Sequence, residues 1–274
     1  MTVSKEQNIK RIKFFAMAAI ITTVVTVLVR SCCLTWFYDE DIGYYTRDVL
    51  PVLFYVLSVA SVVLFSSVFV FVKPFGEISD GREDNVIIKV ASGINVIAFS
   101  VFFVFSVLSS SLVAGNVTFD LISKISSLMA VVYFAVNLFG PDVKRSFQTV
   151  LGFGIIAWCI CVLGITYFDI YVQLNSPEKI GIHLALISVM GLLVCEFRAF
   201  VDRVKSKLYL ACACASVFFC GVAAVPSILH WVLLGFEGNK YISYVAVLLA
   251  LFIYSLARLV SFALGVDKRA EIKE

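Results

Sequence analysis

Eight apolar runs decide what this chain can fold into. Each is about 16 to 30 residues long and nearly free of charge, the length a helix needs to cross a hydrocarbon layer about 30 Å thick. Strands of a membrane barrel would read as segments of about ten residues with alternating polarity, and no such alternation is found. A mean hydropathy of +0.99 with only 15% charged residues lies far from the composition of water-soluble domains. The expected fold is therefore all-α: a polytopic integral membrane protein of eight transmembrane helices. The runs place them over residues 14–29, 49–72, 88–113, 120–139, 147–168, 180–200, 208–234 and 241–264.

Eight spans put both termini on one side of the membrane, and the basic residues choose which side. Seventeen of the 22 lysines and arginines fall on the side that carries the termini, from Lys5, Lys10, Arg11 and Lys13 through Lys144, Arg145, Arg198 and Arg203 to Lys268, Arg269 and Lys273. Arg30, Arg47, Lys124, Lys179 and Lys240 fall on the other. Positive segments stay on the cytoplasmic side, so both termini are expected there, in a cytoplasmic (inner) membrane. The basic tail before Phe14 has the look of a signal peptide, but no small-residue cleavage site follows, which makes the first run a retained signal anchor.

Two four-helix halves are suggested by short echoes. "TWFYD" at residues 35–39 is matched by "TYFD" at 166–169, and "GPDVKR" at 140–145 by "GVDKR" at 265–269. The division reads as a cytoplasmic tail (1–13), a first half (14–145), a second half (146–265) and a second tail (266–274). A four-helix unit keeps its orientation on duplication, so the halves would form parallel repeats.

Several functions are excluded or left without support. No basic patch suits nucleic acid. The motifs H-E-x-x-H, G-x-S-x-G, the P-loop and the dinucleotide glycine pattern are missing, so no enzyme activity and no cofactor are expected. Six of the eight cysteines lie inside apolar runs. Cys159/Cys161 and Cys212/Cys214 are two residues apart, on nearly opposite sides of a helix, and cannot each chelate on one face. They read as small apolar packers.

Ionisable and amide groups within apolar runs are the remaining pointers. Asp120 and Lys124, spaced i, i+4 at the start of the fourth run, can pair as a gate or as a neutralised rim pair. Glu196 lies near the cytoplasmic end of the sixth run and Arg258 near that of the eighth, so the two can meet across the bundle. Asn95 and Asn137 are candidates for ligand contacts or interhelical hydrogen bonds. Together these six form the candidate ligand or gating set. An outer polar set comprises Asp39, Glu40, Asp41, Asp169, His183 and His230. Two histidines with Asp169 fall short of a full metal ligand set, so no metal site is expected. Pro226 in the seventh run removes a backbone donor beside Gly221, Ala223 and Ala224, which reads as close packing or a hinge.

The segment "TWFYDEDIGYYTRDVLP", residues 35–51, puts three consecutive acids, Asp39, Glu40 and Asp41, among five aromatic rings. Its rings suit the interfacial belt, and "DEDIG" fails as a calcium loop because its glycine is one position early and no closing glutamate follows. Residues 38–69, "YDEDIGYYTRDVLPVLFYVLSVASVVLFSSVF", resemble uncharacterised multi-pass membrane proteins of clostridia and related Firmicutes, with a D-x-[DE]-x-G-[FY]-[FY]-T segment after the first helix. Asp39, Asp41, Gly43, Tyr44, Tyr45 and Thr46 carry the match. The resemblance implies a bacterial cytoplasmic membrane and no particular chemistry.

The expected function is the binding or transport of an apolar or weakly polar small molecule or lipid between the halves. The alternative is a non-catalytic accessory subunit that docks another membrane protein through small residues such as Ala211 and Ala215.

Overall fold

The structure, a computed structural model, describes residues 2–39, 43–72, 77–78, 85–108, 117–140, 144–169, 172–173, 175–201, 204–234 and 241–271. Eight helices account for nearly all of them: α1 (Thr2–Trp36), α2 (Val49–Phe71), α3 (Val86–Leu108), α4 (Val117–Phe139), α5 (Arg145–Phe168), α6 (Pro177–Val201), α7 (Ser206–Leu234) and α8 (Ile242–Glu271). Each is long and apolar enough to cross a bilayer. The chain is an all-α polytopic membrane protein. The end of the bundle where α1 begins and α8 finishes is called the near end below, and the opposite one the far end.

Helix α1 starts twelve residues before the expected Phe14, because its charged first turns continue the helix. Glu6 and Lys10 pair at i, i+4 with 2.8 Å between charged atoms. Arg11 donates to the carbonyl of Phe71 at 2.8 Å, satisfying a carbonyl in the last turn of α2. Helix α3 is described as far as Leu108, and residues 109–116, which include the expected boundary at Val113 and the Asn116 of an N-V-T sequon, lie outside the described residues. Helix α2 begins as its sequence dictates: Asp48 caps the Val49 N–H, and Pro51 sits in the first turn where no donor is missed.

The aromatic and acidic stretch after α1 folds back as a two-residue hairpin. Strand β1 (Tyr38–Asp39) pairs antiparallel with β2 (Tyr44–Tyr45), in the register Tyr38 opposite Tyr45 and Asp39 opposite Tyr44. Gly43 closes it at φ +73°, a conformation that side-chain-bearing residues avoid, and donates to the Asp39 carbonyl at 2.7 Å. The Tyr45 ring meets Tyr38, Phe54 and Tyr55 edge-on, so the hairpin lies on the far end of α2. Glu40 and Asp41 lie outside the described residues. At the near end β3 (Glu77–Ile78) pairs antiparallel with β4 (Val204–Lys205), tying the α2–α3 connection to the α6–α7 connection.

Helices α5 to α8 form the middle of the molecule, each packed on its neighbour in sequence. In α5, α7 and α8, 67, 72 and 67% of the most apolar window is buried within the protein, against 22 to 33% in α1 to α4. The hairpin α1–α2 packs on α7, with α1 also touching α8, while the hairpin α3–α4 packs on α5 and α8. Residues 14–145 thus reach the centre as two separate hairpins on different faces. Two apolar cores result. One surrounds Trp158, with Phe99 and Phe102 set edge-on to it at 5.2 and 5.6 Å. The other surrounds Phe218, with Phe65 at 5.6 Å.

Candidate functional site

Close helix packing sets the near-end site. On α5, Gly152 leaves room for the ring of Phe197 from α6: a Cβ at that glycine would fall 2.2 Å from the ring, so no larger residue fits without repacking. Phe197 in turn stands edge-on to Tyr133 of α4 at 5.8 Å. Between them α6 turns Glu196 toward α7 and α8. Glu196 lies about 8 Å inside the end of α6, five residues before Val201 at about 1.5 Å each.

The Glu196 carboxylate is held by three side chains. Arg258 of α8 places Nε 2.9 Å from Oε1, with the two side chains only 6% and 2% exposed. Tyr254, one turn earlier on α8, donates its hydroxyl to Oε2 at 2.9 Å, and Tyr209 of α7 donates to Oε1 at 3.4 Å. Arg258 Nε also donates to the Tyr254 hydroxyl at 2.9 Å. The pairing of Glu196 with Arg258 expected across the bundle is formed. A bare carboxylate in hydrocarbon is costly, and these donors are what make the ionised form tenable.

Helix α4 adds a second layer. Tyr133 and Asn137 stand one turn apart on the same face. Asn137 accepts from Gln148 Nε2 of α5 at 2.6 Å. The Tyr133 hydroxyl and the Asn137 amide nitrogen are buried side by side, and the hydroxyl also faces the Tyr254 hydroxyl and lies within electrostatic range of Glu196 and Arg258. Two further buried polar groups thus sit beside a carboxylate that already has three donors. An oxygen acceptor, carbonyl or hydroxyl, suits such a cluster.

The far-end polar residues form a different arrangement. Asp169 caps the C-terminus of α5 and accepts from the Tyr241 hydroxyl at 2.6 Å. Lys179 in the first turn of α6 is fully buried and donates to the backbone carbonyls of Asp169 and Val172, both at 2.6 Å. Tyr241 lies just before the eighth span, and burial, then its bond to Asp169, pushes its phenol above the usual value of 10.0. Tyr45 in the hairpin is likewise raised by burial. His183 shares a 2.9 Å hydrogen bond with Thr166 on α5, and His230 is half-buried on α7. Among the described residues no three of His, Cys, Asp and Glu gather in a metal-binding group.

The remaining candidates stand apart from both sites. Asn95 is fully buried and donates to the carbonyls of Ala91 and, across to α8, Ala250, at 2.9 and 2.8 Å, which makes it a tie between α3 and α8. Asp120 and Lys124 pair at 2.7 Å on α4 with side chains 30% and 22% exposed, an arrangement of the bundle rim. Ala211 packs in the core around Phe218 and Ala215 is half-buried, so the small-residue face set aside for a partner helix is largely covered by the chain's own helices.

Arg30, like Lys179, is a buried cation that its place at the end of an apolar run does not reveal. Pro226 has no N–H for the carbonyl four residues earlier, that of Val222, and Arg30 of α1 donates to that carbonyl instead. Arg30 is 1% exposed, rests over the Phe54 ring at 5.9 Å and lies against Gly181, where a Cβ would be 3.0 Å from its Nη1. A proline in one apolar run with an arginine at the end of another is the signal, legible only once α1 and α7 are known to be neighbours. Beside it, a Cβ on Gly221 would meet Thr23 of α1 at 2.7 Å and Phe252 of α8 at 2.8 Å, so the Pro226 segment is a close-packed crossing.

No family model, curated protein or solved structure matches this chain at a significant level.

Proposed function

We propose that the chain is a bacterial cytoplasmic-membrane protein, both termini cytoplasmic, that binds or passes a small apolar or weakly polar molecule or lipid at the near-end site, without catalysis. The observation that carries this reading is the buried pair of Glu196 and Arg258, ringed by Tyr209 and Tyr254 at membrane depth. Ionisable groups at such depth are expensive and mark ligand or ion routes. The pair neutralises itself, so the site carries no net charge to attract an ion. What it offers beside that pair is the buried hydroxyl of Tyr133 and the buried amide of Asn137, which suit a neutral molecule with an oxygen acceptor on an apolar body.

Native mass spectrometry of the protein extracted gently from its own membrane tests this. A neutral small molecule or lipid bound in stoichiometric amount, lost in Tyr133→Phe and in Glu196→Gln, is the expected result. A bare wild-type chain, or one carrying a second polypeptide in stoichiometric amount, would overturn it, the latter in favour of an accessory subunit.

A further inference from the structure

We propose that Cys195 and Cys212 form an oxidisable dithiol, closed to a disulfide by a two-electron oxidant dissolved in the bilayer, of the quinone class. All eight cysteines are free thiols, and most are accounted for without a partner sulfur. Cys214 and Cys220 donate to the carbonyls of Phe15 and Ala185, and Cys159 and Cys161 are packed in helix interfaces. Cys195 of α6 and Cys212 of α7 are different: the Cys195 thiol donates to the Cys212 sulfur, with the two sulfurs 3.7 Å apart.

The helices are brought together by a glycine. Gly191 is one turn before Cys195 on the same face of α6, and a Cβ built there would lie 3.8 Å from the Cys212 sulfur. Cys212 therefore rests on the edge formed by Gly191 and Cys195, with no larger side chain between. A disulfide needs about 2.05 Å between sulfurs, so the two must close by roughly 1.7 Å. Each cysteine lies six residues inside its helix, about 9 Å from the end, where a lipid-soluble oxidant has the better access. Cys195 is 5% exposed and Cys212 half-buried, which gives the second sulfur the approach.

The chemistry balances without a cofactor. Two S–H bonds break and one S–S bond forms, and the two electrons and two protons pass to the quinone carbonyl oxygens, leaving a hydroquinone. The link joins the same helices that the Tyr209 bond to Glu196 joins: Cys195 directly precedes Glu196, and Cys212 is one turn after Tyr209. Oxidation would fix α6 against α7 beside the near-end site. The proposal stands whether or not that site holds a ligand.

The test uses the full chain in lipid vesicles treated with tetramethyl-benzoquinone, whose substituted ring cannot add a thiol. The protein is then denatured and alkylated, and its intact mass and peptides are read. Alkylation at six of the eight cysteines, a peptide pair linking Cys195 to Cys212, and recovery of all eight sites after reduction are expected. Cys195→Ser and Cys212→Ser should each leave every remaining cysteine alkylated. Eight alkylated cysteines after the quinone and also after copper-phenanthroline would overturn the proposal, as would a link that persists in either variant.

Discussion

The two ends of the bundle each bury a carboxylate and a cation, yet they satisfy them by different means. At the near end Glu196 receives Arg258, Tyr254 and Tyr209, all side chains, inside three helices. At the far end Lys179 spends its ammonium on the carbonyls of Asp169 and Val172, just past the C-terminus of α5. Helix ends leave carbonyls without partners and carry partial negative charge, so a cation there completes the architecture. A helix interior makes no such demand. The near-end charges answer no need of the backbone, which is why function is assigned to them and scaffolding to Lys179.

The largest expected effect removes one partner of the near-end pair. Arg258→Ala strands Glu196 in an apolar interior and should cost about 3–5 kcal/mol, read as a fall in unfolding midpoint in detergent. The double replacement Glu196→Gln, Arg258→Met, which leaves no buried charge at the near-end site, should recover much of that stability while abolishing ligand retention. If the double variant kept the ligand, the near end would be scaffolding too, and the contrast between the ends would fail.

Next in size is Lys179→Met. It leaves two buried carbonyls without their donor and should cost about 1–3 kcal/mol, the desolvation penalty of unsatisfied groups. Ligand retention in native mass spectrometry should not change. Loss of ligand at equal stability would move the site to the far end.

Arg30 belongs with Lys179 in this scheme, since it too answers a backbone carbonyl. A double-mutant cycle makes that quantitative. Arg30→Met should destabilise the wild type, and less so in a Pro226→Ala background, where the new N–H can take the Val222 carbonyl. The expected coupling lies at about 0.5–3 kcal/mol, and a coupling of zero would detach Arg30 from the proline.

How much of this the sequence discloses follows from which forces are local. The eight spans are legible because length and apolarity act within one helix, and the far-end start of α2 because Pro51 acts within one turn. The pairing of Glu196 with Arg258 is legible as a possibility, since both sit at similar depth in apolar runs. Tyr209, Tyr254 and Tyr133 are not singled out, because a tyrosine in an apolar run looks like any other ring until its hydroxyl is seen to point at a carboxylate. Arg30 reads as an interfacial residue at the end of its run, and Lys179 likewise, although both are buried. Burial at a helix end is decided by neighbours, and the neighbours of α1 come from α7, far along the chain.

The smallest effect concerns how firmly Asp169 is fixed at the far end. Tyr241 donates to its carboxylate at 2.6 Å, and the phenol is raised above 10.0 by burial first and by that bond second. A group whose folded value exceeds its unfolded value contributes stability that is complete below the unfolded value and lost as pH climbs toward the folded one. The wild type should therefore exceed Tyr241→Phe by about 1 kcal/mol near pH 8. That gap should narrow progressively above about pH 10, where the unfolded phenol ionises. Tyr45, also raised, is present in both proteins and cancels in the difference. Unfolding midpoints of the two proteins across this range decide the matter: a gap that stays constant above pH 10 would mean that Tyr241 does not hold Asp169 through its proton.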